Sequence, residues 1–150
     1  MTSIPTGTVL LVEGNRIQKL VNERMLHKAG YTVLHAADGV EAVRLAREVI
    51  PDIILLDMLL PKLGGREVMQ ALRETPSTAQ IPVLVFSSLP QANEWKLKKE
   101  GAAGYFQKSR LLANSRGKTE LVEFIERLIE ESRRLKKIAG QQALAAPVGG

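Results

Sequence analysis

Between Asp52 and Asp57 the chain reads Ile-Ile-Leu-Leu, four apolar residues with no polar one among them. Side chains of a strand alternate between the two faces of its sheet, so an uninterrupted apolar strand must be covered on both sides. That requirement fits a parallel sheet flanked by helices. The rest of the chain repeats the pattern. Thr8-Val-Leu-Leu-Val12, Tyr31-Thr-Val-Leu-His35, Ile81-Pro-Val-Leu-Val-Phe86 and Ala103-Gly-Tyr-Phe-Gln107 are short apolar runs, and helical patterns separate them. Ile17, Leu20, Val21 and Met25 recur at helical spacing, with Asn15 as N-cap and Gly30 as stop. Asp38 followed by Glu41 predicts a capping box, and Val40, Val43 and Ala46 give the second helix its apolar face. A loop with Pro61, Gly64 and Gly65 leads to Val68, Met69 and Leu72. Pro90 opens a short helix that stops at Gly101. The last helix is predicted from about Thr119 to Ile138, with a flexible tail over Gly140–Gly150. Five strand–helix units with right-handed crossovers give one α/β domain with helices on both faces of the sheet.

The composition removes several chemistries. Cysteine is absent, so disulfides, thiolate metal sites and cysteine nucleophiles are excluded. His27 and His35 are the two histidines, too few for a histidine-rich metal site, and each is read as structural. No apolar run approaches the roughly 20 residues of a membrane span, and Met1-Thr-Ser-Ile-Pro-Thr-Gly7 is unlike a signal peptide. A cytoplasmic protein without membrane contact is the expectation. The net charge of +5 is unevenly placed: residues 1–107 hold 12 Lys/Arg against 11 Asp/Glu, and residues 108–150 hold 9 against 5. The C-terminal excess is read first as a solvated helix end.

In parallel sheets of this kind chemistry sits at the C-terminal strand ends. The first strand ends in Glu13-Gly14-Asn15, the third in Asp57, the fourth in Ser87-Ser88 and the fifth in Lys108. Two carboxylates, a hydroxyl and an ammonium thus converge on one edge. Taken with Leu10-Leu-Val-Glu13, Ala37-Asp-Gly39-Val-Glu-Ala42, Pro51-Asp-Ile-Ile-Leu-Leu-Asp57, Leu60-Pro61 with Gly65, and Gly101-Ala-Ala-Gly-Tyr105-Phe-Gln-Lys108, the chain resembles a response-regulator receiver domain, the CheY-like family, over roughly residues 8–130. The resemblance implies a three-layer (βα)5 flavodoxin-like fold with a parallel sheet ordered 2-1-3-4-5. It further implies a phosphoacceptor rather than an enzyme, taking a phosphoryl group from a histidine kinase or phosphotransfer protein on Asp57, with Mg²⁺ required. Glu13, Asp57 and the backbone carbonyl of Leu59 would hold the metal. Lys108 and Ser87 would meet the phosphoryl group, and small Ser88 would leave room for it. Tyr105 either changes rotamer with Ser87 on activation or is a half-exposed strand tyrosine packed on the last helix.

Three positions depart from the family. Gly14 stands where a second acid is usual, which predicts weaker Mg²⁺ binding. Ser109 replaces a proline after Lys108, so a trans bond is expected. Arg110–Lys118 lengthens the loop before the last helix into a mobile connection, with Leu111 and Leu112 tucked against the body. The reading is therefore a two-component receiver domain over 8–131, with a helix extension and tail over 132–150. Its output face would be helix four, strand five and helix five. The alternative is a pseudo-receiver that binds proteins without phosphorylation. A nucleotide- or flavin-binding enzyme is disfavoured because no glycine-rich loop follows the first strand, and a nucleic-acid-binding output is not expected. Leu121, Leu128 and Leu135 recur every seven residues, a spacing suited to a partner contact or homodimer seam.

Overall fold

The computed structural model describes residues 7–88, 94–113 and 116–145. Five parallel strands, β1 (Thr8–Val12), β2 (Thr32–Ala36), β3 (Ile53–Leu56), β4 (Val83–Ser87) and β5 (Gly104–Gln107), form one sheet in the order β2-β1-β3-β4-β5. The register follows the chain: Leu10 pairs with Leu34 on one side and Ile54 on the other, and Val85 pairs with Tyr105. The helices are α1 (Arg16–Lys28), α2 (Gly39–Val49), α3 (Gly65–Glu74), α4 (Glu94–Lys99), α5 (Ser109–Ala113) and α6 (Arg116–Ala145).

The alternation of the central strands builds two cores. Leu10, Val12, Ile54, Leu56, Val83 and Val85 face one layer, where α2, α3 and α4 contribute Val43, Met69, Leu72 and Leu97. Val9, Leu11, Ile53, Leu55, Leu84 and Phe86 face the other, closed by Leu26 of α1 and by Leu121, Ile125, Leu128 and Ile129 of α6. Each fully buried aliphatic side chain contributes about 1.5–3 kcal/mol, so the doubly covered strands are the most strongly held part of the fold.

Both expected caps form. Asn15 Oδ1 accepts from the N–H groups of Ile17 and Gln18 at 3.0 Å. Asp38 Oδ1 accepts from Glu41 at 2.9 Å, although Glu41 returns its bond to the N–H of Ala37 rather than to the cap residue. The cap bond and Lys62 hold the Asp38 carboxyl below the ordinary carboxylate range. Gly30, at φ +103°, turns the chain out of α1.

Four expectations fail, each for a local reason. The periodic stripe of α1 faces outward: Ile17, Leu20 and Val21 are 75%, 63% and 50% exposed, while Asn22 and Leu26 are buried. In α2 the buried face is Gly39, Ala42, Val43 and Ala46, and Val40 is exposed. The connection after Lys108 is not a mobile loop throughout. It forms α5 at once, while two expectations there hold: Leu111 packs against the α6-side core, and no cis peptide bond occurs among the described residues. Finally, α6 starts at Arg116 and runs through Gly140 to Ala145, so the tail expected from residue 140 is helical to that point. Leu121 and Leu128 are buried in the domain's own core, leaving Leu135 as the exposed member of the heptad series. Pro90 and the side chain of Leu112 lie outside the described residues. No helix among the described residues is long and apolar enough to cross a membrane.

Candidate phosphoacceptor site

The C-terminal edge of the sheet gathers the polar residues singled out above. Glu13 and Asp57 each follow a central strand, and each is held by a ladder bond, Glu13 N–H to Ala36 O and Asp57 N–H to Val12 O, both 3.1 Å. Both are buried, as is Ser87 at the end of β4. Lys108 follows β5 and donates its backbone N–H to the carbonyl of Ser87 at 2.8 Å. Its ammonium then reaches across the edge. Lys108 Nζ donates to Glu13 Oε2 at 2.6 Å, to Asp57 Oδ2 at 2.8 Å and to Gln18 Oε1 at 2.6 Å. An ammonium carries three N–H donors, and here all three have an oxygen. The same Nζ lies 5.3 Å from the centroid of Phe86.

The second oxygen of each acid fixes its orientation. Glu13 Oε1 accepts from Asn15 N–H at 3.1 Å, and Asp57 Oδ1 accepts from Leu59 N–H at 3.0 Å. Each carboxylate therefore presents one oxygen to the backbone and one to the shared cation. Gly65, which opens α3, lets this loop close: a Cβ there would lie 2.6 Å from Met58 Sδ and 2.8 Å from Met58 Cα. At Gly14 a Cβ would meet Ala37 O and Pro61 Cδ at 3.4 Å, so the missing acid reflects the residue chosen there rather than a lack of space.

Two residues escaped the sequence reading as parts of this site. Gln18 arrives through the first turn of α1, three residues after the Asn15 cap, a position that returns a side chain to the strand ends. His35, in β2 beside β1, bonds through Nε2 to the carbonyl of Glu13 at 2.8 Å and so steadies the turn bearing that acid. Tyr105 is buried, 2% exposed, in the core layer of α2, α3 and α4. It is therefore neither half-exposed nor packed on α6. Burial, and to a smaller extent Glu94, push its hydroxyl pKa up.

The donors here are hard carboxylate oxygens, the type Mg²⁺ prefers, and they already converge on one cation. They number two acids, and no cluster of three or more acidic, histidine or cysteine side chains occurs among the described residues. The set fits a divalent ion that keeps several waters.

Residues 9–114 match the family described as response regulator receiver domain. The polar-differentiation response regulator DivK of Brucella ovis is 31% identical over 104 residues, covering 69% of this chain and 85% of that protein. Among solved structures, the receiver domain of a sensor histidine kinase from Pseudomonas aeruginosa, with a magnesium ion coordinated in its active site cleft, shares 30% identity at TM-score 0.71. The alignment covers 84% of this chain and 99% of that one. A LuxR-family two-component response regulator from Aurantimonas shares 32% at TM-score 0.72, covering 85% and 87%. The sheet order, the edge chemistry and these matches agree: the chain belongs to the response regulator receiver domain family of two-component systems.

Proposed function

We propose that Asp57 is a phosphoacceptor, charged by a phosphohistidine of a kinase or phosphotransfer protein, and that its state is read by a downstream protein. The observation that carries this reading is the bond from Lys108 Nζ to Asp57 Oδ2, made from the end of β5 across the end of β4, which carries buried Ser87. In the transfer a carboxylate oxygen of Asp57 forms the O–P bond while the N–P bond to the donor imidazole breaks, its electron pair leaving with the imidazole. Catalysis of such a step consists of positioning and of balancing charge on the phosphoryl oxygens. Lys108 supplies a cation at the acceptor, and the Ser87 hydroxyl stands one strand away to donate to a phosphoryl oxygen. Glu13, Asp57 and the Leu59 carbonyl would hold Mg²⁺, which supplies further positive charge when bound. With Gly14 in place of a second acid, that ion is held weakly.

Docking of the phosphodonor fits the outward stripe of α1. Ile17, Leu20 and Val21 leave an apolar surface unused by the core, and Gln18 of the same helix touches Lys108 in the site. The output face is α4, β5 and α6, where Trp95 stands 68% exposed. Phosphorylation would shift this face between two arrangements through Ser87 and the buried Tyr105.

The pseudo-receiver reading rests on one observation, Gly14 in the place of the second acid, which leaves the metal site a carboxylate short. Incubation with a phosphorylated histidine phosphotransfer domain separates the two. The label moves to the intact chain but not to Asp57→Asn if the site is an acceptor, and to neither if the fold serves binding alone.

A further inference from the structure

Beyond Glu131 the last helix leaves its domain. Every residue from 133 to 142 is exposed, and a Cβ at Gly140 would meet nothing within 4 Å. A helical stretch of this length is marginal in water by itself, and a glycine within it lowers its stability further. Its side chains are sorted by face. Leu135, Ala139 and Leu128 of α6 stand opposite Ile81, Pro82 and Ala103, the residues leading into β4 and β5, across a groove of about 590 Å³. Leu135 is 57% exposed in that groove, and Ile138 continues the apolar face. The groove lies at the N-terminal edge of the sheet, opposite the Asp57 site.

The charge of the extension is one-sided. Arg133, Arg134, Lys136 and Lys137 follow Glu131, and no acid occurs after it in the chain. Arg133 reaches Asp52 Oδ1 at 3.5 Å and so ties the helix to the foot of β3. Arg134, Lys136 and Lys137 pair with no carboxylate of the described residues. A second copy would bring eight cations together within about one Debye length, against only Glu131, which lines the groove, and Asp52, which Arg133 already holds. A phosphate backbone would use the cations but not the apolar groove, and a flat bilayer cannot enter a groove walled by the domain.

We infer that the extension and this groove bind an acidic amphipathic helix of another protein. Its apolar residues would lie on Leu135, Ile138 and the Ile81–Pro82 wall, and its carboxylates would meet Arg134 and Lys136, which flank that apolar face on either side. This is a second interaction surface, independent of the phosphorylation state of Asp57.

The test uses the full chain and a labelled helical peptide carrying leucines at heptad a and d positions and glutamates at the flanking ones. A second peptide has lysine at every glutamate. The chain should bind the acidic peptide about tenfold or more tighter than the basic one, and lose that binding at high salt. Leu135→Asp with Ile138→Asp, and separately Arg134→Glu with Lys136→Glu, should each weaken binding about tenfold, with the thermal midpoint unchanged because these side chains are exposed. Equal binding of the two peptides overturns the proposal. So does a salt-insensitive dimer of the chain that leaves the peptide unbound. Tighter binding to duplex DNA or to phosphatidylserine vesicles, unaffected by Leu135→Asp with Ile138→Asp, overturns it in favour of a polyanion.

Discussion

Lys108 and Arg73 are both partly buried cations at an edge of the same sheet, and they hold it in different ways. Arg73, at the N-terminal edge, donates to three backbone carbonyls: Ala79 O at 2.8 Å, Ile81 O at 3.0 Å and Gly101 O at 2.9 Å. These belong to the entry to β4 and the turn before β5. Lys108, at the C-terminal edge, donates to three side-chain oxygens, of Glu13, Asp57 and Gln18. Backbone acceptors cannot turn away, so Arg73 works as a staple. Side-chain acceptors can exchange partners, so Lys108 can release an oxygen to a phosphoryl group or a metal without the strands moving. One edge is built for permanence and the other for exchange.

Substitution at Arg73 should give the largest loss of stability. Arg73→Ala strands three carbonyls and should cost about 3 kcal/mol in urea unfolding, while leaving the Asp57 edge able to bind Mg²⁺. Lys108→Met comes next. It leaves Glu13 and Asp57 facing each other without a cation, at a cost of about 1–2 kcal/mol. Millimolar Mg²⁺ should restore much of that loss, so the metal-induced rise in thermal midpoint should exceed that of the natural chain. If Mg²⁺ restores no stability, the edge is as fixed as the Arg73 clamp and the contrast fails.

Gly14→Asp sharpens the same contrast, since its Cβ fits the present loop. Mg²⁺ should bind about tenfold tighter by calorimetry, and stability without metal should fall by about 1 kcal/mol as a third acid joins the pair. Unchanged affinity would mean that the carboxylate at position 14 does not reach the site.

The smallest effect belongs to Tyr31, a core residue next to β2. Its buried hydroxyl has no hydrogen-bond partner among the described residues, and burial foremost pushes its pKa up to about 12. Tyr31→Phe should be neutral or stabilising by up to about 1 kcal/mol. The natural chain should lose stability as pH rises from 10 towards 12, where the unfolded tyrosine ionises and the folded one does not, by at most about 1.4 kcal/mol per pH unit. The phenylalanine variant should lack that component.

The doubly covered strands were legible because Ile53–Leu56 admits no other placement. The edge residues were legible because strand ends in such a sheet share one side. The outward face of α1 was not. Its apolar period is real, but the core takes the neighbouring stripe and accepts Asn22 within it. Gln18 was missed for a related reason: it enters the site through a helical turn, and its partner lies 90 residues away. The chain from Gly140 reads as a flexible tail, yet α6 continues through that glycine to Ala145, with residues 140–142 in solvent. A glycine sets a preference of only about 1 kcal/mol, which other residues of the helix can offset.

The central claim is that Asp57 exchanges its bond with Lys108 for one to phosphorus. Incubation of the intact chain with phosphoramidate over a Mg²⁺ series, followed by intact mass and peptide mapping, tests it most directly. The account predicts a single phosphoryl adduct on the peptide holding Asp57, absent from Asp57→Asn. Its formation should require more Mg²⁺ than in Gly14→Asp. No adduct at millimolar Mg²⁺ in either the natural chain or Gly14→Asp would contradict it.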